Sequence, residues 1–177
     1  ARSFIGELGV AGTIYKTFSC THAIWRETRL LRPEAMAHLD AVRLAPVIFQ
    51  QFIPAESDLR ITAVGGKLFP AAIRSRDGLV DFRLSVGDAA LSADELPVSL
   101  SEKLLALLKR LGLVYGAIDM RRTPDGEYYF FEVNTAGEFL FVEDRTGQPI
   151  ARAIADWLAD SSSPSLTGWS GPARNQA

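Results

Sequence analysis

Hydrophobic and polar residues alternate along much of the first half of the chain, which is typical of half-buried β-strands. We predict strands in GTIYKTFSC (residues 12–20), THAIWRETRLL (21–31), PVIFQQFI (46–53), DLRITAV (58–64), KLFPAAIRS (67–75) and VDFRLS (80–85). Gly65-Gly66 separates two of these strands and predicts a two-residue hairpin turn. Residues 87–98 lack the pattern, and we expect a loop there.

Apolar residues recur at helical spacing in two long segments, and shorter helical signals lie nearer the start. We predict a helix that ends at Gly9 and a short helix from Pro33 to about Val42. A third covers SLSEKLLALLKRLG (99–112), with Ser101 as cap and Gly112 as stop. A fourth starts at Pro149 in TGQPIARAIADWLA (146–159). Residues 161–177 are rich in Ser, Pro and Gly, and we expect them to be disordered. This order, with hairpin links, predicts an α+β fold in which antiparallel sheets pack against helices.

A second hairpin, GAIDMRRTPDGEYYFFEVN (116–134), breaks the apolar pattern with acid and amide groups. Strand alternation places Phe131 and Val133 on one face and Glu132 and Asn134 on the other. When the aliphatic faces of the two strands are matched to a common core, Asp119 joins Glu132 and Asn134 on the opposite face. The sequence therefore predicts that three oxygen-bearing side chains meet on one surface of the sheet.

The register of this hairpin depends on its turn. If Asp125-Gly126 is a two-residue turn, Asp119 lies directly opposite Glu132, with their Cβ atoms about 5 Å apart. A three-residue turn shifts the register by one and puts Asp119 on the aliphatic face, and we reject it for that reason. Two facing carboxylates repel each other unless a shared proton, an arginine or a divalent cation intervenes. Oxygen donors suit Mg²⁺, while Arg121 and Arg122 are close enough to favour an arginine-paired, solvated face instead.

The residues GLVYGAIDM and PDGEYYFFEVNTAGEFLFVE resemble the metal-binding hairpin of the ATP-grasp ligases. The resemblance is closest to the peptide maturases that make microviridin-type ω-ester and ω-amide cyclic peptides, the graspetides. Upstream, VIFQQFIPAESDLRITAVGGKLFPAAIRS is similar to the hinge strand and following hairpin of that family, and TIYKTFS to its nucleotide-binding lysine strand. The resemblance implies the C-terminal portion of an ATP-grasp fold, with residues 1–52 in the A subdomain and residues 53–160 in the B subdomain.

The resemblance also implies a role for each matching residue. Mg²⁺ that bridges the ATP phosphates would be held by Asp119, Glu132 and Asn134. Nucleotide contacts would come from Lys16 at the phosphates, from Gln50, Gln51, Phe52 and Ile53 at the adenine edge, from Glu56 or Asp58 near the ribose, and from Phe131 as a wall under the adenine. Catalytic contacts to phosphate or to an acyl phosphate would come from Arg60, Arg74 and Arg83.

The residues themselves leave simpler roles open. The Lys16 stem can pack while its ammonium group reaches water, and Phe131 can be an ordinary core residue. Any single arginine can form a surface salt bridge. Counted outward from the first hairpin turn, Arg60 and Arg74 fall on opposite faces, unless a bulge at Pro70 resets the alternation.

Composition and charge change this picture little. The chain has 177 residues, 47% of them hydrophobic, and a net charge of −2, which predicts one globular domain or two small subdomains. The near-neutral balance gives no electrostatic reason to expect nucleic acid or a membrane as partner. A single cysteine, Cys20, excludes an internal disulfide and favours the cytoplasm. Since the family has a preceding domain and the chain opens on Ala1, we expect a C-terminal part of a longer enzyme.

The resemblance implies an ATP-dependent ligase that activates Asp or Glu side chains of a precursor peptide as acyl phosphates. A Ser or Thr hydroxyl would then form an ester, or a Lys amine an amide, and relatives suggest a homodimer. Three alternatives stay open: a glutamate ligase acting on a protein C-terminus, a non-catalytic module that binds nucleotide or peptide, and a two-carboxylate hydrolase. The hydrolase is disfavoured because carboxylates on facing strands lie too close for a water molecule to enter between them.

Overall fold

The structure is a computed structural model that describes residues 1–18, 28–74 and 90–160. The elements of these ranges are α1 (Arg2–Leu8), β1 (Thr13–Thr17), β2 (Arg29–Leu30), a 3₁₀ helix (Pro33–Arg43), β3 (Val47–Gln51), β4 (Ser57–Val64), β5 (Lys67–Arg74), β6 (Ala90–Ala93), α2 (Val98–Leu111), β7 (Tyr115–Arg122), β8 (Tyr128–Asn134), α3 (Leu140–Thr146) and α4 (Ile150–Ala159). The predicted strand over residues 80–85, Arg83, Cys20 and the tail over residues 161–177 lie outside the described residues. The α+β class is confirmed.

The chain divides into two compact units. The first contains residues 1–58, 74–90 and 121–128, and the second contains residues 59–73, 91–120 and 129–177. The boundaries fall inside strands, so the five-stranded sheet, with strand order β6-β5-β4-β7-β8, contributes residues to both units. The predicted boundary between ATP-grasp subdomains at residues 52 and 53 stays a prediction.

The first unit contains a three-stranded antiparallel sheet in the order β2-β1-β3. Tyr15 on β1 pairs with Phe49 on β3, and both pack against a small core of Ile5, Leu31 and Leu39. Because side chains alternate along a strand, Lys16 lies on the other face of this sheet. It pairs in register with Ile48.

The core of the second unit joins the two C-terminal helices to β4 and β5. Its buried residues are Val64, Ala71, Val142, Ile150 and Ala153. Gly65 and Gly66 have φ angles of 55° and 85°, which are the left-handed values that a tight two-residue hairpin requires. The predicted turn between β4 and β5 is therefore confirmed.

Two local predictions are wrong, and one helix was not predicted. The segment expected to be a loop contains β6, which pairs with β5. Just after β6, Asp94 N donates to Pro70 O on β5 at 3.0 Å. The helix α3, of seven residues, was not predicted. The helix α2 begins at Val98 after Pro97, so Ser101 is inside it and does not cap it.

No helix in the described ranges is long and apolar enough to cross a membrane. The cytoplasmic location and the absence of a nucleic-acid partner stay predictions.

The hairpin turn gives a matched pair of substitutions. A Cβ at Gly65 would lie 2.6 Å from Trp157 Cδ1, whereas a Cβ at Gly66 would meet nothing within 4 Å. Since asparagine tolerates a positive φ better than other side chains, Gly66→Asn should cost less than about 1 kcal/mol. Gly65→Asn adds a clash and should cost about 1–3 kcal/mol. Urea unfolding measures both, and equal losses would contradict the packing of Trp157 against this turn.

Candidate functional site

The turn between β7 and β8 has three residues, not two. Gly126 N donates to Thr123 O at 2.9 Å, Thr123 N donates to Glu127 O at 2.9 Å, and Gly126 has a φ of 85°. Thr123 therefore faces Glu127 across a loop of Pro124, Asp125 and Gly126. The predicted two-residue turn at Asp125-Gly126 is wrong, and the outward count that set Asp119 directly opposite Glu132 loses its basis.

The faces of the two strands are nevertheless arranged as the alternation argument required. A Cβ placed on Gly116 would lie 2.9 Å from Val133 Cγ2, so Gly116 and Val133 point to the same side of the sheet. Alternation then puts Asp119 on the other side, together with Glu132 and Asn134. Counted from a three-residue turn, Gly116 would instead share a face with Asn134. One extra residue, a β-bulge, must therefore lie within the hairpin.

Asp119 is held by an arginine on the neighbouring strand β4. Arg60 Nη1 donates to Asp119 Oδ1 at 2.8 Å, and Arg60 Nη2 donates to the Glu138 carbonyl at 3.0 Å. The guanidinium lies 5.9 Å from the centroid of the Phe141 ring, and its buried Nε has no hydrogen-bond partner. Both side chains are largely buried, with 11% and 18% of their surface exposed. Asp119 is thus neutralised by Arg60, and not by the Arg121 or Arg122 that the sequence suggested.

Glu132 and Asn134 are more open. Glu132 is exposed and makes no hydrogen bond or ion pair with the described part of the chain. Asn134 is also exposed, and its Oδ1 accepts a bond of 2.9 Å from Ala136 N. In the described ranges no group of three or more His, Cys, Asp and Glu side chains is positioned to hold a metal. The candidate set has two such carboxylates, and its third donor is an amide.

The donor chemistry fits Mg²⁺. Asp119 Oδ2 makes no bond with Arg60, Glu132 has both oxygens available, and the amide oxygen of Asn134 is a hard, neutral ligand. Without a cation, the carboxylates of Asp119 and Glu132 would repel each other, and the bond from Arg60 to Asp119 reduces this repulsion. The structure therefore brings the three predicted metal ligands to one face and adds a competing cation beside them.

Tyr115, which the sequence did not single out, fixes the loop that follows Asn134. Its hydroxyl donates to the Gly137 carbonyl, and burial raises the pKa of the Tyr115 phenol although the Arg60 charge acts in the opposite direction. A Cβ on Gly137 would lie 2.4 Å from Ala117 Cβ, so only glycine lets the loop approach the strand this closely. No local sequence signal marks this contact, because 22 residues separate the two partners.

The predicted ribose residues differ in their environments. Glu56 accepts bonds from Arg122 Nε at 2.7 Å, from Ser57 Oγ at 2.8 Å and from Arg74 Nε at 3.3 Å. The bond from Arg122, followed by that from Ser57, lowers the pKa of the Glu56 carboxyl to about 2. The side chain is still 39% exposed, so it can be reached by a ligand. Arg74 and Arg60 bind different carboxylates.

Asp58 is committed elsewhere. Its Oδ1 accepts from Arg121 Nε at 2.8 Å and its Oδ2 accepts from Arg121 Nη2 at 3.0 Å, and each side chain is only 7% exposed. A carboxylate locked in a buried two-bond pair has no oxygen facing solvent, so Asp58 does not fit a ribose contact. Of the two predicted residues, only Glu56 fits.

The other predicted nucleotide residues lie on or after β1 and β3. Lys16 is half-buried and, within the described residues, forms no ion pair. Gln50 and Gln51 are the exposed last residues of β3, and Phe52 and Ile53 follow them outside any regular element. Phe131 on β8 is 49% exposed. The expectation of a core phenylalanine is therefore wrong, while its role as a wall under adenine stays a prediction.

Comparison with known proteins identifies the class. The RimK-like ATP-grasp domain matches residues 26–158, so the chain belongs to the RimK-like ATP-grasp family. The resemblance to ATP-grasp ligases and the ATP-grasp fold are confirmed. No curated protein sequence matches the chain.

Three solved structures place the chain among particular relatives. It is similar to the macrocyclase MdnC of Microcystis aeruginosa MRC, bound with precursor peptide MdnA, at 35% identity and a TM-score of 0.77, over 90% of this chain and 52% of that chain. It is also similar to the RiPP-associated ATP-grasp ligase of Chryseobacterium gregarium, in complex with ADP and a leader and core peptide. The identity is 29% and the TM-score 0.75, over 90% of this chain and 51% of that chain. The third is the macrocyclase MdnB of Microcystis aeruginosa MRC, with 29% identity and a TM-score of 0.65, over 90% of this chain and 50% of that chain. The chain thus spans about half the length of these relatives.

The buried pair of Asp58 and Arg121 predicts a large effect on stability. Asp58→Asn leaves the guanidinium buried without a counter-charge and should cost about 3–5 kcal/mol. Asp156→Asn removes the exposed helical pair with Arg152 and should cost less than about 0.5 kcal/mol. Urea unfolding compares the two changes, and a similar small loss for both would contradict the buried position of Asp58.

The pKa of Glu56 predicts a dependence on pH. Because the folded-state pKa is depressed from 4.5 to about 2, ionised Glu56 stabilises the fold above pH 4.5, and this contribution is lost as the pH falls toward 2. Solvent screens this exposed group, so the contribution should be about 1 kcal/mol or less. The difference in melting temperature between the wild type and Glu56→Gln should shrink over that range. A difference that stays constant from pH 6 to pH 2 would contradict the assignment.

Proposed function

We propose that the protein containing this chain is an ATP-dependent ligase that modifies a ribosomally made precursor peptide. The observation that carries the proposal is the placement of Asp119, Glu132 and Asn134 on one sheet face beside Arg60, within a RimK-like ATP-grasp domain. The similarity to MdnC with its precursor peptide, and to the Chryseobacterium ligase with ADP and peptides, supports both substrates.

In this proposal Asp119, Glu132 and Asn134 would hold Mg²⁺, which would supply positive charge to offset the phosphate charge of ATP. The three side chains provide hard oxygen donors from two adjacent strands, which fixes their spacing. Arg60 already lies beside this set, and its charge would stabilise the anionic oxygens of a phosphoryl group near Asp119.

The nucleotide is assigned to residues of β1, β3 and the start of β4. Lys16 has an ammonium group free of ion pairs in the described structure and would contact phosphate. Gln50, Gln51, Phe52 and Ile53 would meet the adenine, and Phe131 would lie against its face. Glu56 would contact the ribose, and Arg74 would be a second cation near the phosphates.

The reaction activates a side-chain carboxylate of the peptide. The carboxylate attacks the γ-phosphorus of ATP, which gives an acyl phosphate and ADP. A Ser or Thr hydroxyl, or a Lys amine, of the same peptide then attacks the acyl carbon, loses its proton and expels inorganic phosphate. Each ring closed in this way has one ester or amide bond and one water molecule less than the linear peptide.

Nucleotide binding tests the metal residues. In the complete gene product, Asp119→Asn and Glu132→Gln should each weaken Mg²⁺-dependent ATP binding about tenfold or more, because a lost carboxylate removes both a ligand and a charge. Glu127→Gln is the matched control on the same hairpin, since Glu127 is exposed and lies outside the proposed site. Calorimetric titration with ATP, with and without Mg²⁺, gives the affinities. Unchanged affinity in both site variants would overturn the assignment.

Mass spectrometry tests the reaction. A precursor peptide incubated with the complete gene product, ATP and Mg²⁺ should lose one water molecule per ring while ADP accumulates. ATP binding without any change in peptide mass would favour the non-catalytic module.

A further inference from the structure

The loop of residues 135–139, which links β8 to α3, lies against the sheet face that carries Asp119. Tyr115, Ala117 and Asp119 alternate along β7 and therefore share this face. A Cβ on Gly137 would lie 2.4 Å from Ala117 Cβ, so the loop touches β7 between Tyr115 and Asp119. All of these residues belong to the second unit. The loop is thus a direct neighbour of the proposed metal ligands.

Two side chains hold successive carbonyl groups of this loop. The Tyr115 hydroxyl donates to the Gly137 carbonyl, and Arg60 Nη2 donates to the Glu138 carbonyl at 3.0 Å. The Tyr115 ring also packs edge-on against Phe139, with ring centroids 6.3 Å apart, so the tyrosine is fixed at its ring as well as at its hydroxyl. Because burial raises the pKa of the Tyr115 phenol, the hydroxyl keeps its proton at neutral pH and remains a donor.

The same loop orients the amide group of Asn134. Ala136 N donates to Asn134 Oδ1 at 2.9 Å, and Gly137 N donates to Asn134 O at 3.4 Å. Since a backbone N–H can only donate, the amide oxygen must face the loop, and its second lone pair is open to a cation. The Asn134 side chain makes no other bond with the described residues. The direction of its oxygen therefore depends on the position of Ala136, and hence on the loop.

The direction of a ligand oxygen matters more for Mg²⁺ than for Ca²⁺. Mg²⁺ requires a nearly ideal octahedron, whereas the larger Ca²⁺ accepts irregular arrangements of oxygen ligands. Groups that orient a metal ligand through a hydrogen bond change metal affinity by about tenfold or more. A displaced loop that turns the Asn134 amide should therefore weaken Mg²⁺ binding more than Ca²⁺ binding.

We propose that Tyr115 is a positioning residue for the metal site: by fixing Gly137, it holds Ala136 N where it directs the Asn134 amide oxygen toward Mg²⁺. The inference rests on the proposed function, since it concerns the same metal. Tyr115 acts only through the loop and is not itself a ligand. Without its hydroxyl, the Gly137 carbonyl loses its donor, the loop shifts and the Asn134 oxygen turns away from the ion.

The substitution Tyr115→Phe tests the proposal, because it removes the hydroxyl and keeps the ring that packs on Phe139. Titration of the complete gene product with MgCl₂ and, separately, with CaCl₂ at a fixed ATP concentration gives an apparent Kd for each ion. The Kd for Mg²⁺ should rise about tenfold and that for Ca²⁺ by less than about threefold. A merely structural role would change both constants by the same factor. Urea unfolding confirms that the variant is folded.

The matched control is Tyr15→Phe on β1, which makes the same chemical change where the hydroxyl bonds to no described residue. It should leave both constants unchanged. If Tyr115→Phe does not fold, Gly137→Ala replaces it, because the added Cβ pushes the loop away from Ala117, and the Mg²⁺ constant should again rise more than the Ca²⁺ constant.

A double-mutant cycle shows whether Tyr115 acts through Asn134. Asn134→Ala removes the amide ligand, so adding Tyr115→Phe to that variant should not weaken Mg²⁺ binding further, since residues that act through one another are not additive. Equal effects of Tyr115→Phe with and without Asn134 would overturn the inference, and so would a folded Tyr115→Phe variant with the wild-type constants. Failure of the wild type itself to bind ATP with Mg²⁺ would instead overturn the proposed function.

Discussion

The repulsion between acidic side chains on one face of the β7–β8 hairpin is the constraint on which the candidate site depends. Alternation along the strands puts Asp119, Glu132 and Asn134 on the same side. Such a set does not stabilise a sheet, because like charges on facing strands are destabilising. In the structure, Arg60 on the neighbouring strand offsets the charge of Asp119 at 2.8 Å, while Glu132 is left open. The arrangement is stable with an arginine in place and, in our proposal, becomes functional when a divalent cation takes up the remaining oxygens.

The same arginine chemistry recurs in the first unit with a different outcome. Glu56 is exposed and shared between Arg122 and Arg74, so its charge is accessible to a ligand. Asp58 is buried and accepts two bonds from Arg121, so its carboxylate is closed to solvent. Two acidic residues only two positions apart therefore have different environments, and the difference lies in burial, since the Glu56 side chain is 39% exposed and the Asp58 side chain 7%.

The sequence predicted what depends on local pattern. The helices around Leu104 and Ile154, the Gly65-Gly66 turn and the shared face of the hairpin acids follow from periodicity, and the family follows from the motif. What it missed depends on contacts between distant residues. Arg60 bonds to Asp119 across 59 positions and Arg121 to Ile53 across 68, and no spacing rule marks such partners. The turn at Asp125-Gly126 shows a further limit, because its three residues shift the predicted register by one, and a bulge elsewhere in the hairpin restores the predicted faces.

The most direct test of the account is the position of the metal. Crystals of the complete gene product with Mn²⁺ in place of Mg²⁺, together with ADP, would locate the ion by its anomalous scattering. The account predicts a peak about 2 Å from carboxylate oxygens of Asp119 and Glu132 and from the amide oxygen of Asn134. A peak bound to other side chains, with Glu132 still facing solvent, would contradict it.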